Sequence, residues 1–387
     1  MIFKFWMAIS SLVLAMACLS SNALAQSQEP VLPLPAYAPS DIEATPVTSL
    51  HGGLYLWYYR PQQSWVDEDF SVYYTYLTVD TTYEDFGVRL EGRFRDTYFA
   101  DYYASNVWFQ EAYGYYRQPN YIVKVGKTYS RFGRFWDGSI YGNVLSFDGL
   151  KLSPDSGFSF EGQFADYRNI STNYVFQYFI QDGSTNNSLD GLHSGTTTSY
   201  SGITGRDTLT ISGGRRRNEI IARVEPTIKF VDSEFTIGAN YMYLLADLTT
   251  LPPPPNAPNI NPGRFNVHRY AFDLSYKRGP FSIFYEYDHQ HGRTVIDYPN
   301  VGEPSSNIKY YWAGINYKTG KWTFYYNYSE GLYQPQNLHN ITQVPGFVYQ
   351  FRKYIQLIFE YGYMYRTQTG GFYGNDNSLN FILKANI

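Results

Sequence analysis

Apolar and polar residues alternate one by one in short segments that recur along most of this chain. In one such segment, Phe235, Ile237 and Tyr241 are separated by polar positions that include Thr236 and Asn240. A period of two residues places successive side chains on opposite faces of a β-strand. Each segment therefore has one face that suits an apolar environment and one that suits water, which strongly limits the folds open to the chain.

The alternating segments between residues 51 and 387 number about sixteen, within a range of 14–18, and each is long enough to cross a bilayer as a tilted strand. They predict an all-β fold, a transmembrane antiparallel β-barrel. The count places a strand at 144–153 and treats 347–366 as one long strand. It also puts later long links, such as 183–214 and 331–346, on the side expected for short turns. That inversion indicates a missed or an extra strand between residues 150 and 215.

Composition agrees with a barrel. The chain contains 41 Tyr and 27 Phe, yet its mean hydropathy is negative at −0.38. After the first 25 residues, no apolar stretch is long enough for a membrane helix. In a bilayer, a closed barrel satisfies the backbone polar groups as fully as a helix does, and tyrosine suits the two membrane interfaces.

The N-terminus predicts export. Lys4, an apolar run and Ala23-Leu24-Ala25 have the order of a cleaved signal peptide covering residues 1–25. Residues 26–50 are proline-rich and predict a periplasmic lead-in before a barrel at 51–387. Removal of the signal changes the net charge from −4 to −5, because it takes away Lys4 and no acidic residue. This balance argues against a nucleic-acid partner.

Charged residues are informative where alternation predicts that they face inward. In residues 86–95, Arg89, Glu91 and Arg93 alternate with apolar residues, and Lys124 alternates with Val123 and Val125. An arginine or lysine on the lipid face near the midplane costs about 2–4 kcal/mol, so these charges are assigned to the lumen.

The link at 129–143 is the candidate constriction loop. It places Arg131, Arg134 and Asp137 among aromatic residues and glycines. A loop that folds into a barrel needs apolar residues to pack on the wall and charges to face water, and opposed charges across a constriction sort solutes by charge. The alternative interpretation is an ordinary extracellular loop with surface charges.

The chain resembles the bacterial outer-membrane porin superfamily in its export signal, its amphipathic strands and the segment Val123-Lys-Val-Gly-Lys-Thr-Tyr-Ser-Arg-Phe-Gly-Arg-Phe-Trp-Asp-Gly. The resemblance implies that the loop after the fifth strand folds inside and that three barrels form a homotrimer. Lys124, Arg131 and Arg134 are similar to the basic lining of the phosphate-selective branch. The chain departs from the family at its end, which is Ile387 rather than Phe or Trp.

These patterns predict a non-enzymatic porin in the outer membrane, with membrane lipid and small hydrophilic solutes or ions as partners and a mild preference for anions. A structural, adhesin or assembly barrel is the alternative. An outer-membrane hydrolase is a weaker one, based on His268, His289, His291 and His339. The sequence contains neither a GxSxG motif nor a phosphate-binding glycine loop, and no cofactor or metal is predicted.

Overall fold

The computed structural model describes residues 45–62, 69–95, 107–134, 154–167, 169–181, 214–248, 264–293, 305–334, 338–368 and 371–386. Within these ranges the chain forms sixteen β-strands. They are β1 (Val47–Pro61), β2 (Asp69–Tyr83), β3 (Phe86–Phe94), β4 (Val107–Gln118), β5 (Tyr121–Tyr129), β6 (Pro154–Tyr167), β7 (Ile170–Gln181), β8 (Gly214–Lys229), β9 (Ser233–Leu248), β10 (Arg264–Arg278), β11 (Phe281–Arg293), β12 (Ser305–Thr319), β13 (Trp322–Gln334), β14 (Leu338–Arg352), β15 (Ile355–Gln368) and β16 (Gly371–Asn386). No helix in these ranges is long and apolar enough to cross a membrane.

The strands form one closed antiparallel barrel in which each strand pairs with its neighbours in the sequence. The ring is completed by β1 and β16, whose pairing runs from Gly53 opposite Asn386 to Pro61 opposite Ser378. The predicted fold class is therefore confirmed. The first strand begins at Val47, four residues before the predicted start of the barrel. The predicted signal peptide at 1–25 lies outside the described residues.

Two errors in the predicted strands cancel in the total. The barrel has no place for a strand at 144–153, because β5 pairs directly with β6, which begins at Pro154; residues 144–153 themselves lie outside the described ranges. The predicted strand 347–366 is in fact parts of β14 and β15, which are joined by a tight turn at residues 353–354.

The corrected strands also remove the predicted inversion of the loops. Each even-numbered strand leads into the next odd-numbered one through two or three residues. All connections longer than three residues follow odd-numbered strands, at 62–68, 95–106, 130–153, 182–213, 249–263 and 294–304. The long connections therefore share one rim of the barrel, and the start of β1 shares the other rim with the short turns.

Gly126 is a position in β5 where the backbone itself requires glycine. Its φ of +134° is a conformation that other residues rarely adopt. A Cβ atom at this position would lie 2.4 Å from the Ala112 carbonyl oxygen and 2.7 Å from the Tyr113 Cα. The β4–β5 pair therefore approaches closely at this point, a few residues before the chain leaves the wall.

Replacement of Gly126 by alanine is expected to lower the free energy of unfolding by about 1–3 kcal/mol, because the new Cβ strains the backbone. The check is urea unfolding of the refolded barrel, followed by tryptophan fluorescence. Gly92→Ala is the matched control, because no atom lies within 4 Å of its added Cβ. Equal stability of the two variants would contradict the assignment.

Candidate functional site

The two faces of β3 differ sharply in exposure. Phe86 and Val88 are 60% and 51% exposed on the outer surface, whereas Glu91 and Arg95 are only 6% and 8% exposed. Because the sheet is closed, the second set faces the lumen. The structure thus places Arg89, Glu91 and Arg93 on the inner wall, as their alternation predicts. Their role in a constriction stays a prediction.

Arg93 is held in a compact group of polar and aromatic side chains. It donates hydrogen bonds from Nε to Glu91 Oε1 at 2.7 Å and from Nη2 to Tyr129 Oη at 2.9 Å. Its guanidinium carbon also lies 4.6 Å from the centre of the Tyr74 ring, within the range of a cation–π contact. The side chain is therefore fixed against the wall.

Arg89 lies among three carboxylates. Its Nε is 3.3 Å from Glu111 Oε2, and its Nη atoms are 3.7 Å from Asp80 and 3.8 Å from Glu91. An exposed ion pair contributes little to stability, but in this group the carboxylates are largely buried, so removing one partner leaves a charge in a poorly solvated place. The inward arginines therefore do not form an uncompensated positive row.

Lys124 and Arg131 share a carboxylate on the next strand. Lys124 Nζ lies 2.7 Å from Glu161 Oε1, and Arg131 Nε lies 4.0 Å from Glu161 Oε2. Ser159 donates a further hydrogen bond to Glu161 at 2.8 Å. The predicted basic residues are therefore brought together, but around an acidic residue that was not predicted.

Residues 130–134 leave β5 and lie against the inner faces of distant strands. The Arg131 amide donates to Gln177 Oε1 on β7 at 2.7 Å, and the Gly133 amide donates to Asn240 Oδ1 on β9 at 3.1 Å. The Arg134 amide donates to Glu286 Oε2 on β11. Because β5 and β11 are well separated in the barrel order, this segment extends across the interior.

Side-chain contacts also place residues 132 and 134 against the inner faces of distant strands. Phe132 is 1% exposed, and the Arg269 guanidinium lies 5.6 Å from the centre of its ring. The Arg134 guanidinium lies 4.7 Å from the centre of the Phe284 ring on β11. Arg134 therefore sits on another side of the lumen from Arg89 and Arg93. Asp137 and the remainder of 129–143 lie outside the described residues.

One acceptor connects this segment with a second charged group on the wall. Asn240 Oδ1 accepts a hydrogen bond from Arg223 Nη1 at 2.8 Å in addition to the one from Gly133. Arg223 also forms a two-point ion pair with Asp273, at 2.7 and 3.1 Å. Asn240, which binds this segment, is therefore held in place by an arginine that is itself in a buried ion pair.

The sequence analysis did not assign a role to the residues that complete these groups. They are Glu111, Glu161, Gln177, Asn240 and Glu286. Alternation assigns Glu161, Gln177, Asn240 and Glu286 to the lumen, whereas Glu111 follows a β-bulge and shares the parity of the outward Val107 and Phe109. Nothing in the linear sequence gives the strand register that brings them to their partners.

The histidines behind the hydrolase alternative lie outside this site. His289 Nε2 is 2.8 Å from Asn307 Oδ1, and His339 Nε2 is 2.7 Å from Glu330 Oε1. The third, His268, is hydrogen-bonded through Nδ1 to the Tyr241 hydroxyl. Among the described residues, no three His, Cys, Asp or Glu side chains are grouped as a metal site.

Comparisons with known proteins support the fold. Neither a scan of protein-family models nor a search of curated proteins finds a match. Solved structures do match. The outer membrane channel DcaP of Acinetobacter baumannii has a TM-score of 0.59 at 11% identity, with 91% of this chain and 100% of that chain covered.

Two further structures are similar. OmpT, an outer membrane protein of Vibrio cholerae in a trimer form, has a TM-score of 0.57 at 11% identity, with 88% and 99% of the two chains covered. An anion-selective porin from Comamonas acidovorans has a TM-score of 0.53 at 10% identity, with 89% and 100% covered. The chain thus has the barrel fold of the bacterial outer-membrane porins.

Replacement of Gln177 by leucine tests the attachment of residues 130–134. Gln177 also donates from Nε2 to the Tyr129 carbonyl at 2.9 Å, so leucine removes the hydrogen bonds that Gln177 forms with the backbone at both Tyr129 and Arg131. We expect a loss of about 1–3 kcal/mol of stability and a noisier single-channel current. Gln118→Leu, at the opposite end of the wall next to a short turn, is the control. An unchanged current in Gln177→Leu would contradict the attachment.

Proposed function

We propose that this protein is an outer-membrane porin, a water-filled channel through which small hydrophilic solutes diffuse passively. The observation that carries the proposal is the closed barrel with a charged inner wall and with residues 130–134 lying across its interior. A segment anchored at several points narrows the lumen, and the proposal requires that a water-filled path remain beside it. No chemical step is needed for this function.

The proposal also includes the export of the protein and its location in the outer membrane. Residues 1–25 act as a cleaved export signal, and residues 26–50 lead from the periplasm into the first strand. The outward apolar and aromatic side chains face outer-membrane lipid. A homotrimer is part of the proposal, and the similarity to the trimer form of the Vibrio OmpT supports it.

We expect the channel to have weak ion selectivity, with a mild preference for anions. The ion pairs around β2–β6 join four cations to four carboxylates. The cations are Arg89, Arg93, Lys124 and Arg131, and the carboxylates are Asp80, Glu91, Glu111 and Glu161. Paired charges largely cancel at distances beyond the pair, and salt reduces their field further. The likeness to the anion-selective porin supports the sign of the preference.

Single-channel recording of the refolded protein in a planar bilayer tests the proposal. We expect stepwise conductance, and a change of conductance when Arg131 and Arg134 are both replaced by glutamine, because both side chains line the narrowed region. The Arg278→Gln variant, in an exposed ion pair at the short-turn rim, is the control. An inserted, stable barrel without conductance would favour the structural or adhesin alternative instead.

The charge balance makes a separate prediction. Replacement of Glu111 by glutamine removes one carboxylate partner of Arg89 while it keeps the shape of the side chain. We expect the reversal potential in a salt gradient to shift toward greater anion preference. Arg89→Gln should shift it in the opposite direction, and Asp232→Asn, in an exposed turn, should leave it unchanged. Shifts of the same sign in both lumen variants would contradict this account.

A further inference from the structure

The inner wall next to the charged strands contains an apolar patch. Tyr59, Val344, Ile358 and Ile382 are buried there, at 5%, 0%, 7% and 1% exposure. They lie on β1, β14, β15 and β16, and the positions that alternate with them face outward. The lumen wall of a water-filled barrel is ordinarily polar. An apolar patch on the inner wall is therefore an exception that needs an explanation.

Aromatic rings pack against this patch. Tyr55, Trp57 and Tyr325 pack against it and remain partly exposed. With Tyr59 they form what we term the aromatic sector. Trp57 and Tyr59 contact each other, with ring centres 5.4 Å apart.

The polar groups of two of these rings form hydrogen bonds with side chains on the barrel wall. The Trp57 indole donates a hydrogen bond from Nε1 to Asn380 Oδ1 at 2.9 Å. Tyr325 donates from its hydroxyl to Glu360 Oε1 at 2.6 Å. Buried polar groups of tyrosine and tryptophan normally find such partners. Because both edges are already satisfied and the rings are fixed, their remaining exposed area is apolar and preorganised.

A positive charge borders the aromatic sector. Tyr55 stacks on Tyr74 with ring centres 4.4 Å apart, the Arg93 guanidinium covers Tyr74 and the Lys384 ammonium lies 5.0 Å from the centre of the Tyr55 ring. Arg93 is compensated by Glu91 at 2.6 Å. Among the described residues, no carboxylate is paired with Lys384. The accessible charge beside the apolar rings is thus positive.

We propose that the aromatic sector and Lys384 form a binding site in the channel for small organic anions that carry a planar apolar group. The planar group packs on the exposed part of Trp57, and the carboxylate or an equivalent anion pairs with Lys384, which neighbours Trp57 through the pairing of β1 with β16. This proposal rests on the proposed function, because it requires solutes to enter the lumen. It adds a class of solute that charge alone does not select.

Benzoate is the probe, with acetate as the anion without a ring and benzyl alcohol as the ring without a charge. Each is added to single channels that conduct KCl in a planar bilayer. Benzoate is expected to interrupt the current in a concentration-dependent way, at concentrations about tenfold below those at which either control acts. If the three probes act equally, the site proposal is overturned. If KCl itself is not conducted, the proposed function fails first.

Two variants separate the parts of the site. Lys384→Gln should weaken the benzoate effect by about tenfold or more, because it removes a charge-assisted contact, and Lys384→Arg should preserve most of it. Trp57→Ala should weaken it comparably while KCl conductance persists. Lys353→Gln in the exposed turn and Trp322→Ala on the outer face are the matched controls. If Trp57→Ala does not insert, Lys384→Gln decides alone, and an undiminished benzoate effect in that variant overturns the proposal.

Discussion

The pairing of β1 with β16 is the contact on which the rest of the molecule depends, because it turns a long sheet into a ring. The paired positions run from Gly53 opposite Asn386 to Pro61 opposite Ser378. Without this pairing both strands would present an edge of unpaired N–H and C=O groups, each of which costs several kcal/mol in hydrocarbon. Closure also means that side-chain alternation divides inside from outside around the whole circumference.

That division forces charged residues into a confined space, and the chain responds by pairing them. Lys124 with Glu161, and Arg223 with Asp273, lie at 2.7 Å on the inner wall. Removing water from two charges is costly, and only close geometry with additional hydrogen bonds offsets that cost. The inner wall therefore presents close pairs of opposite charges and not a continuous surface of one sign. In the channel proposed above, such a wall would distinguish solutes by size and dipole more than by net charge.

Much of this was predictable from the sequence, since the strand period is local. The barrel and the inward direction of Arg89 and Arg93 follow from alternation and composition, and the inward path of the segment after β5 was an expectation from the resemblance to porins. The strand predicted at 347–366 failed because the turn at 353–354, Lys-Tyr, contains no glycine, proline or asparagine to mark it. The partners Glu161 and Asn240 were not predictable, because they depend on the strand register and on the path of a loop across the lumen.

The anchoring of residues 130–134 depends little on the side chains of the segment itself. The wall holds this segment chiefly through backbone amides, which donate to Gln177, Asn240 and Glu286. Backbone donors are present with every residue except proline, so Arg131 and Arg134 can be exchanged without loss of these bonds, whereas Gly133 has a φ of +69° that favours glycine. The outer face likewise requires only apolar character. Barrels with little sequence identity, such as the solved structures similar to this chain, can therefore share this architecture. In the proposed channel, the groups that set its selectivity are the inward ones, the paired charges and the aromatic sector beside Lys384.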